Sequence, residues 1–375
     1  MLRSLSVLLL LAVAATAGAQ QAAPVYQSQK SATGFHLEGV TRQEWTDEET
    51  FLSTNRRLLR LKPRVDFSSK WFQLGLGADF TYGSDHNLDV PAGMATLPLL
   101  RDNYDSRDLR LDLAFVRLMP VKFVSAEGGR FPMPVRFTEM IWDHDLRAQG
   151  GSATLDLGAI GPIKKLAFTG VYARGSHVLP EEGFFQYQLK DRDTVWIGSG
   201  TMTFSAGAQD RIELLGSILK FEDLQFVDPR VRRQNTRVNG ALAVPYEVLD
   251  FVARYHGQGK FSTTIAADYC WNRAVSSANR GVWLALLLGS TDTARGSFEY
   301  TFAKVDTDAT LAAYTTDDFI WGTGWAGHRA DLGIRMSDRA STHLVGQLQR
   351  FKDSPNVDER DTYVKRLRAE VRISY

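Results

Sequence analysis

The chain has 375 residues, with apolar residues at 44% and charged residues at 23%, values near globular averages that exclude collagen-like, disordered and helical-bundle membrane classes. Its 44 Lys and Arg stand against 43 Asp and Glu, so the basic bias of a nucleic-acid-binding domain is missing and no nucleic-acid partner is expected. One cysteine, Cys270, excludes an internal disulfide framework and any multi-cysteine metal centre.

Residues 1–19 carry Arg3, an apolar run from Leu5 to Ala15 and the small residues Ala17-Gly18-Ala19, the three regions of a cleaved secretory signal peptide. The apolar run is too short for the roughly 20 residues of a spanning helix. No later window offers 18 consecutive apolar residues either, so the mature chain is soluble, peripheral or inserted without helices. Residues 20–33 read as a short N-terminal segment, too short for a plug domain, and energy-coupled transport is therefore not expected.

From there the period is two. RRLLRLKPRV sets Leu59, Leu61 and Val65 against Arg60, Lys62 and Arg64. WFQLGLGADFTY sets Phe72, Leu74, Leu76, Ala78, Phe80 and Tyr82 against Gln73, Gly75, Gly77, Asp79 and Thr81. HRADLGIRM and the closing TYVKRLRAEVRISY continue the pattern, with Leu367, Ala369, Val371, Ile373 and Tyr375 opposite Arg366, Arg368, Glu370, Arg372 and Ser374. In chain order the pattern predicts strands at 35–46, 55–66, 70–82, 107–119, 123–131, 150–158, 164–174, 194–205, 210–221, 246–257, 264–273, 280–289, 295–305, 327–336, 341–351 and 362–375. A further candidate at 236–244 is set aside because Pro245 interrupts it.

Sixteen strands make the connections alternate. DFSSK, MPVKF, GAIGPIK, SAGAQD, HGQGKFS, GSTDTAR and SDRAS are short turns after even strands, whereas the longest loops, 83–106, 132–149, 175–193, 222–245 and 306–326, all follow odd ones. Many of these strands reach the roughly 9 to 11 residues that cross a bilayer when tilted. Short turns on one rim, long loops on the other and an even strand count predict an all-β transmembrane antiparallel barrel over 34–375, with the short turns and both termini on the periplasmic side. Roughly 356 mature residues give about 22 per strand and connection, a porin-sized barrel. Trp45, Trp71, Tyr82, Trp196, Trp271, Trp283, Tyr363 and Tyr375 are candidates for aromatic girdles. A soluble periplasmic β-protein alternates too, but its strands are shorter.

Three stretches carry a family resemblance: GRFPMPVRFTEMIWDHDLRAQGG (Gly129–Gly151), YTFAKVDTDATLAAYTTDDFIWGTGWAGH (Tyr300–His328), and the closing QLQRFKDS and RLRAEVRISY. They resemble the porin family of Gram-negative outer membranes and, more distantly, the phosphate-selective porins. The resemblance implies a sixteen-stranded channel embedded in outer-membrane lipid, with Tyr375 as the terminal aromatic read by the outer-membrane assembly machinery. Similar porins are often homotrimers. The resemblance transfers no solute, and the helical segment that some relatives carry ahead of the barrel is not recognisable.

Two groups of residues are candidates for the site. Closure of a barrel makes the chain ends neighbours, so Arg366, Arg368 and Arg372 of the last strand, Arg42 of the first, and Arg60, Lys62 and Arg64 of the second form a pore-lining basic stripe, diluted by Glu38, Glu44 and Glu370. It favours anions, unless it is one half of a polar lumen balanced across the barrel. The second group is Arg136, Glu139, Asp143, His144, Asp145 and Arg147 in the 132–149 loop, which either narrows the pore or stays outside as a solvated loop. Asp143-His144-Asp145 lacks any metal-site spacing, so no metal or other cofactor is expected. No G-x-S-x-G elbow or P-loop occurs, Cys270 reads as a small packed residue, and no catalytic residue is assigned.

The expected function is therefore passive diffusion of small hydrophilic solutes or ions through a water-filled, anion-preferring lumen. The alternative is a barrel with a filled lumen acting as an enzyme or adhesin, against which the inward glycines Gly75, Gly77 and Gly333 count.

Overall fold

The computed structural model describes residues 32–48, 54–84, 107–175, 192–227, 235–259, 261–292, 294–316, 319, 322–352 and 363–375. Residues 1–19, expected to be a signal peptide, and most of the 83–106 and 175–193 loops lie outside the described residues.

Eighteen strands follow in chain order: β1 (Ala32–Glu48), β2 (Thr54–Ser68), β3 (Phe72–Ser84), β4 (Arg107–Val121), β5 (Val124–Pro132), β6 (Arg147–Ile160), β7 (Ile163–Arg174), β8 (Thr194–Ser205), β9 (Arg211–Glu222), β10 (Arg237–Val238), β11 (Ala241–Leu242), β12 (Tyr246–Gln258), β13 (Ser262–Asn272), β14 (Arg280–Gly289), β15 (Gly296–Val305), β16 (Trp325–Ser337), β17 (Ala340–Phe351) and β18 (Tyr363–Ser374). All but β10 and β11 join one closed antiparallel barrel of sixteen strands, in which every neighbour in sequence is a neighbour in space and β1 closes on β18. β10 and β11 form a separate small hairpin on the 222–245 connection, so that stretch is indeed not a seventeenth wall strand. β1 starts at Ala32, slightly inside the expected N-terminal segment, because it pairs β2 from Ala32↔Ser68 onward.

The alternation sorts the wall. Leu74, Leu76, Phe80 and Tyr82 of β3, and Leu367, Val371 and Ile373 of β18, face outward, while Asp79, Thr81, Arg366, Arg368 and Glu370 are buried on the inner face. Closure leaves no sheet edge, so the backbone is satisfied within the wall as a hydrocarbon environment demands. Among the described residues no helix is long and apolar enough to cross a membrane; the strands are the spanning elements. Tyr375 exchanges backbone hydrogen bonds with Leu37 (2.9 and 3.0 Å), its ring 6.4 Å from Phe35, which places the chain end on the outer face at the short-turn rim. Trp45, Trp71, Tyr82, Trp196 and Trp271 also face outward. Trp283 does not: it is 2% exposed and points into the lumen, because the inward parity of β14 passes through Gly281, Trp283 and Ala285.

Two long connections turn into the barrel. Residues 133–146 leave the wall beside Gly129 and Gly150, which pair with each other at φ 111° and 157°. A Cβ at either would stand 2.2 Å from the carbonyl oxygen of Ala114 or Tyr172, so the wall bends there only with glycine. Residues 306–316, with Phe319 and residues 322–324, fold in from the other side and meet the first loop through Asp143 N–H to Tyr314 O (2.8 Å) and Thr316 N–H to Glu139 O (2.9 Å). Val135, Phe137, Met140, Ile141, Trp142 and Leu146 of one loop and Ala309, Leu311, Tyr314 and Phe319 of the other share an apolar core with the inward side chains Val171, Ile197, Leu219, Val248 and Trp283.

Candidate functional site

The inward loop spans the lumen, and its charged side chains reach opposite walls. On one side Asp145 accepts from Arg60 (2.5 Å) and Lys62 (2.5 Å) of β2, and Arg147 grips Asp112 of β4 (2.9 Å). On the other, Arg136 meets Glu213 of β9 (3.2 Å), Glu139 meets Arg329 of β16 (2.8 Å), and Thr138 donates to Asp268 of β13. His144 stands between Glu139 (3.4 Å) and Asp143 (3.6 Å). Asp143 itself is 1% exposed, its side chain accepting the Asp145 amide at 2.9 Å.

These contacts set the protonation of the loop. Burial opposes charge on His144, but Asp145, Glu139 and Asp143 outweigh it and push its pKa up to about 10, so the imidazole is cationic at neutral pH. Burial likewise opposes ionisation of Asp145, and Arg60, Lys62 and His144 hold its carboxyl well below the usual range.

The seven basic residues of the closing wall are brought together by the β18–β1–β2 register, and each one meets a carboxylate. Arg42 bonds Glu370 (2.7 Å), Arg60 bonds Asp79 (2.6 Å) as well as Asp145, and Arg64 bonds Asp66 (2.6 Å). Arg368 and Arg366 share Glu44 at 2.6 and 3.5 Å. Arg372 lies 2.7 Å from Glu370 and 3.2 Å from Asp331. The wall is thus a lattice of alternating sign, with acids from the same three strands, Glu44, Asp66 and Glu370, and from β3 and β16, Asp79 and Asp331.

Between loop and wall lies a cavity of about 390 Å3, lined by eight Arg and Lys side chains against six Asp and Glu, with His144 beside them. Arg254, Arg329, Glu299 and Asp331 also belong to it; Arg329 and Asp331 share the polar face of β16, while Arg254 and Glu299 come from β12 and β15. A second cavity of about 470 Å3 continues to the short-turn rim and shares Arg136, His256, Thr264, Glu299, Asp331 and Arg372 with the first. Polar side chains therefore line two adjoining cavities between the loop and that mouth. Not every inward glycine leaves open space: a Cβ at Gly75 would stand 2.3 Å from the Phe115 ring, which fills the room.

Asp143, His144 and Asp145 place ligand atoms within 4.8 Å of one another, the arrangement a cation would need. Asp145 already spends both oxygens on Arg60 and Lys62, so the donor set does not fit a resident metal. Cys270 is fully buried, its sulfur 3.9 Å from Met140 of the loop, a packing role.

No protein-family model matches the chain, and no curated protein matches its sequence. Solved structures do match in shape. OprB of Pseudomonas putida superposes with a TM-score of 0.61 at 12% identity, over 92% of this chain and 94% of that one. OmpF of Salmonella typhi, solved in complex with daunomycin, gives 0.52 at 11% identity over 92% and 97%. Both are porins. The chain has the fold of a porin. In this porin fold, the charges that line the cavity between loop and wall belong to six strands and the inward loop at once.

Proposed function

We propose that the chain is a bacterial outer-membrane channel through which small hydrophilic solutes and ions diffuse passively, with anions preferred. The observation that carries the reading is the pair of connected, charge-lined cavities inside a closed barrel whose outer face is aliphatic. Charges held in a low-dielectric wall focus the field felt by a passing ion. Eight Arg and Lys side chains line the eyelet between loop and wall against six Asp and Glu, and the cation on His144 adds to that lining. The 133–146 loop acts as the constriction. Residues 1–19 act as the export signal, lipid surrounds the outer face, Tyr375 is the handle for the assembly machinery, and a homotrimer is the proposed assembly.

Swelling of liposomes loaded with the refolded protein tests the reading. Gluconate should enter faster than glucosamine of similar size, and both faster than into protein-free vesicles. Equal rates for the two would remove the anion preference; no swelling from a folded, inserted barrel would remove the channel.

A further inference from the structure

Sequence offered scattered serines, histidines and aspartates with nothing to join them; the barrel joins three. Near the short-turn rim, β17 turns Ser341 and His343 inward, and β16 turns Asp331 inward beside them, with His343 opposite Gly333 and Asp331 opposite Val345 in the register. Ser341 Oγ lies 3.0 Å from His343 Nε2, and His343 Nδ1 lies 2.8 Å from Asp331 Oδ1. Arg372 Nη2 holds the other oxygen of Asp331 at 3.2 Å. His343 is 5% exposed, and its ring lies over position 333, where a Cβ would stand 2.7 Å from Cε1, so only glycine leaves it room.

The order of the contacts fixes the tautomer. A carboxylate can only accept, so Nδ1 carries the hydrogen toward Asp331 and Nε2 presents its lone pair to the Ser341 hydroxyl. Nucleophile, base and orienting acid thus stand in the sequence that activates a serine. Ser341 and His343 line the 470 Å3 cavity, which Ser297, Thr291 and Arg372 also line and which opens toward the rim. Structural networks of Ser and His occur in polar lumens, but they need neither this order of atoms nor a cavity at the hydroxyl.

We propose that Ser341, His343 and Asp331 form a nucleophilic triad that hydrolyses small water-soluble carboxylic esters entering from the short-turn mouth. Ser341 Oγ would bond to the ester carbonyl carbon as its proton passes to His343 Nε2. The carbonyl C–O bond to the leaving alkoxide then breaks, and His343 returns the proton to that oxygen. Water, deprotonated by the same nitrogen, attacks the acyl-serine and releases the carboxylic acid with Ser341 restored. Asp331 is a positioning residue, acting through the imidazole. Arg372, bonded to Asp331 and Glu370, lines the same cavity and holds the orienting carboxylate in place. This activity is separate from conduction and stands or falls without it.

The test is labelling of the refolded full-length chain with a fluorophosphonate, followed by peptide mapping. The expected result is label on Ser341, none there in Ser341→Ala, and a labelling rate reduced roughly 100-fold in His343→Gln, the usual scale of general-base assistance. p-Nitrophenyl acetate hydrolysis should follow the same order. Absence of label on Ser341 in a barrel shown to be folded by its heat-modifiable mobility would overturn the proposal, as would an unchanged labelling rate in folded His343→Gln.

Discussion

The lumen is divided into two unlike sectors. On the inner face of β7–β14, Val171, Ile197, Leu219, Val248 and Ala285 pack with the two inward loops into a dry core, beside the buried charged residues Glu213, Asp250, Arg254 and Asp268. Along β16–β18 and β1–β4 the inward positions carry Glu44, Arg110, Gln347, Arg366, Arg368 and Glu370, paired into a charged lattice that faces water. The same alternation builds both, and only the chemistry of the inward residue differs. The apolar inner wall holds the loops by burial, whereas the polar one holds the first loop by ion pairs, Asp145 to Arg60 and Lys62, with a cavity left beside them. The proposed path therefore lies between the first inward loop and the seam where the chain ends meet.

The largest effect should come from the dry sector. Trp142, 1% exposed and 4.9 Å from the Tyr314 ring, is a keystone between the loops. Trp142→Ala should cost about 3–5 kcal/mol in urea titrations of vesicle-folded protein, as truncation of a buried aromatic usually does. It should also raise single-channel conductance as the loop loosens; an unchanged conductance would mean that burial does not hold the loop. In the wet sector, Arg60→Gln strands Asp79, whose side chain is 7% exposed, together with one contact of Asp145. The loss should be about 3 kcal/mol, because a buried charge is left unpaired, and the reversal potential should move toward potassium. Replacing Arg60, Arg64, Arg366, Arg368 and Arg372 together by Gln should move it further.

A smaller effect separates the loop's own charge from the wall's. The His144 pKa is raised, so its cation, and any stability it lends, is complete below the unfolded value near 6.5 and is lost as pH climbs through about 10. Anion preference should fall over that upper range in the wild type and stay flat in His144→Gln, measured by reversal potential against pH. Smallest of all, Lys220→Gln removes an outward pair with Glu222 whose side chains are 57% and 39% exposed, and should change neither stability nor selectivity measurably.

Much of this was legible in the sequence, for a physical reason. A lipid-facing strand must be apolar at every second residue, so the sixteen strands and the parity of Arg60, Arg366 and Arg368 could be read locally. The contents of the lumen could not. Arg60 finds Asp145 at a separation of 85 residues through the inward turn of the loop, and Arg368 finds Glu44 at 324 through closure. Trp283 looked like a girdle residue because an aromatic on a strand reads the same on either face until parity is fixed. The inward turn of 306–316 gave no signal, since its anchors, Asn235 to the Thr307 and Thr310 carbonyls (2.7 and 2.9 Å) and Tyr246 to Asp308 (2.8 Å), lie on distant segments.

The most direct measurement is a planar-bilayer recording of the refolded protein under a KCl gradient. The account predicts discrete conductance steps and a reversal potential on the chloride side. Silence from a protein shown to be folded and inserted would contradict the open path along the seam, and steps with a potassium-side reversal would contradict the sign assigned to the eyelet.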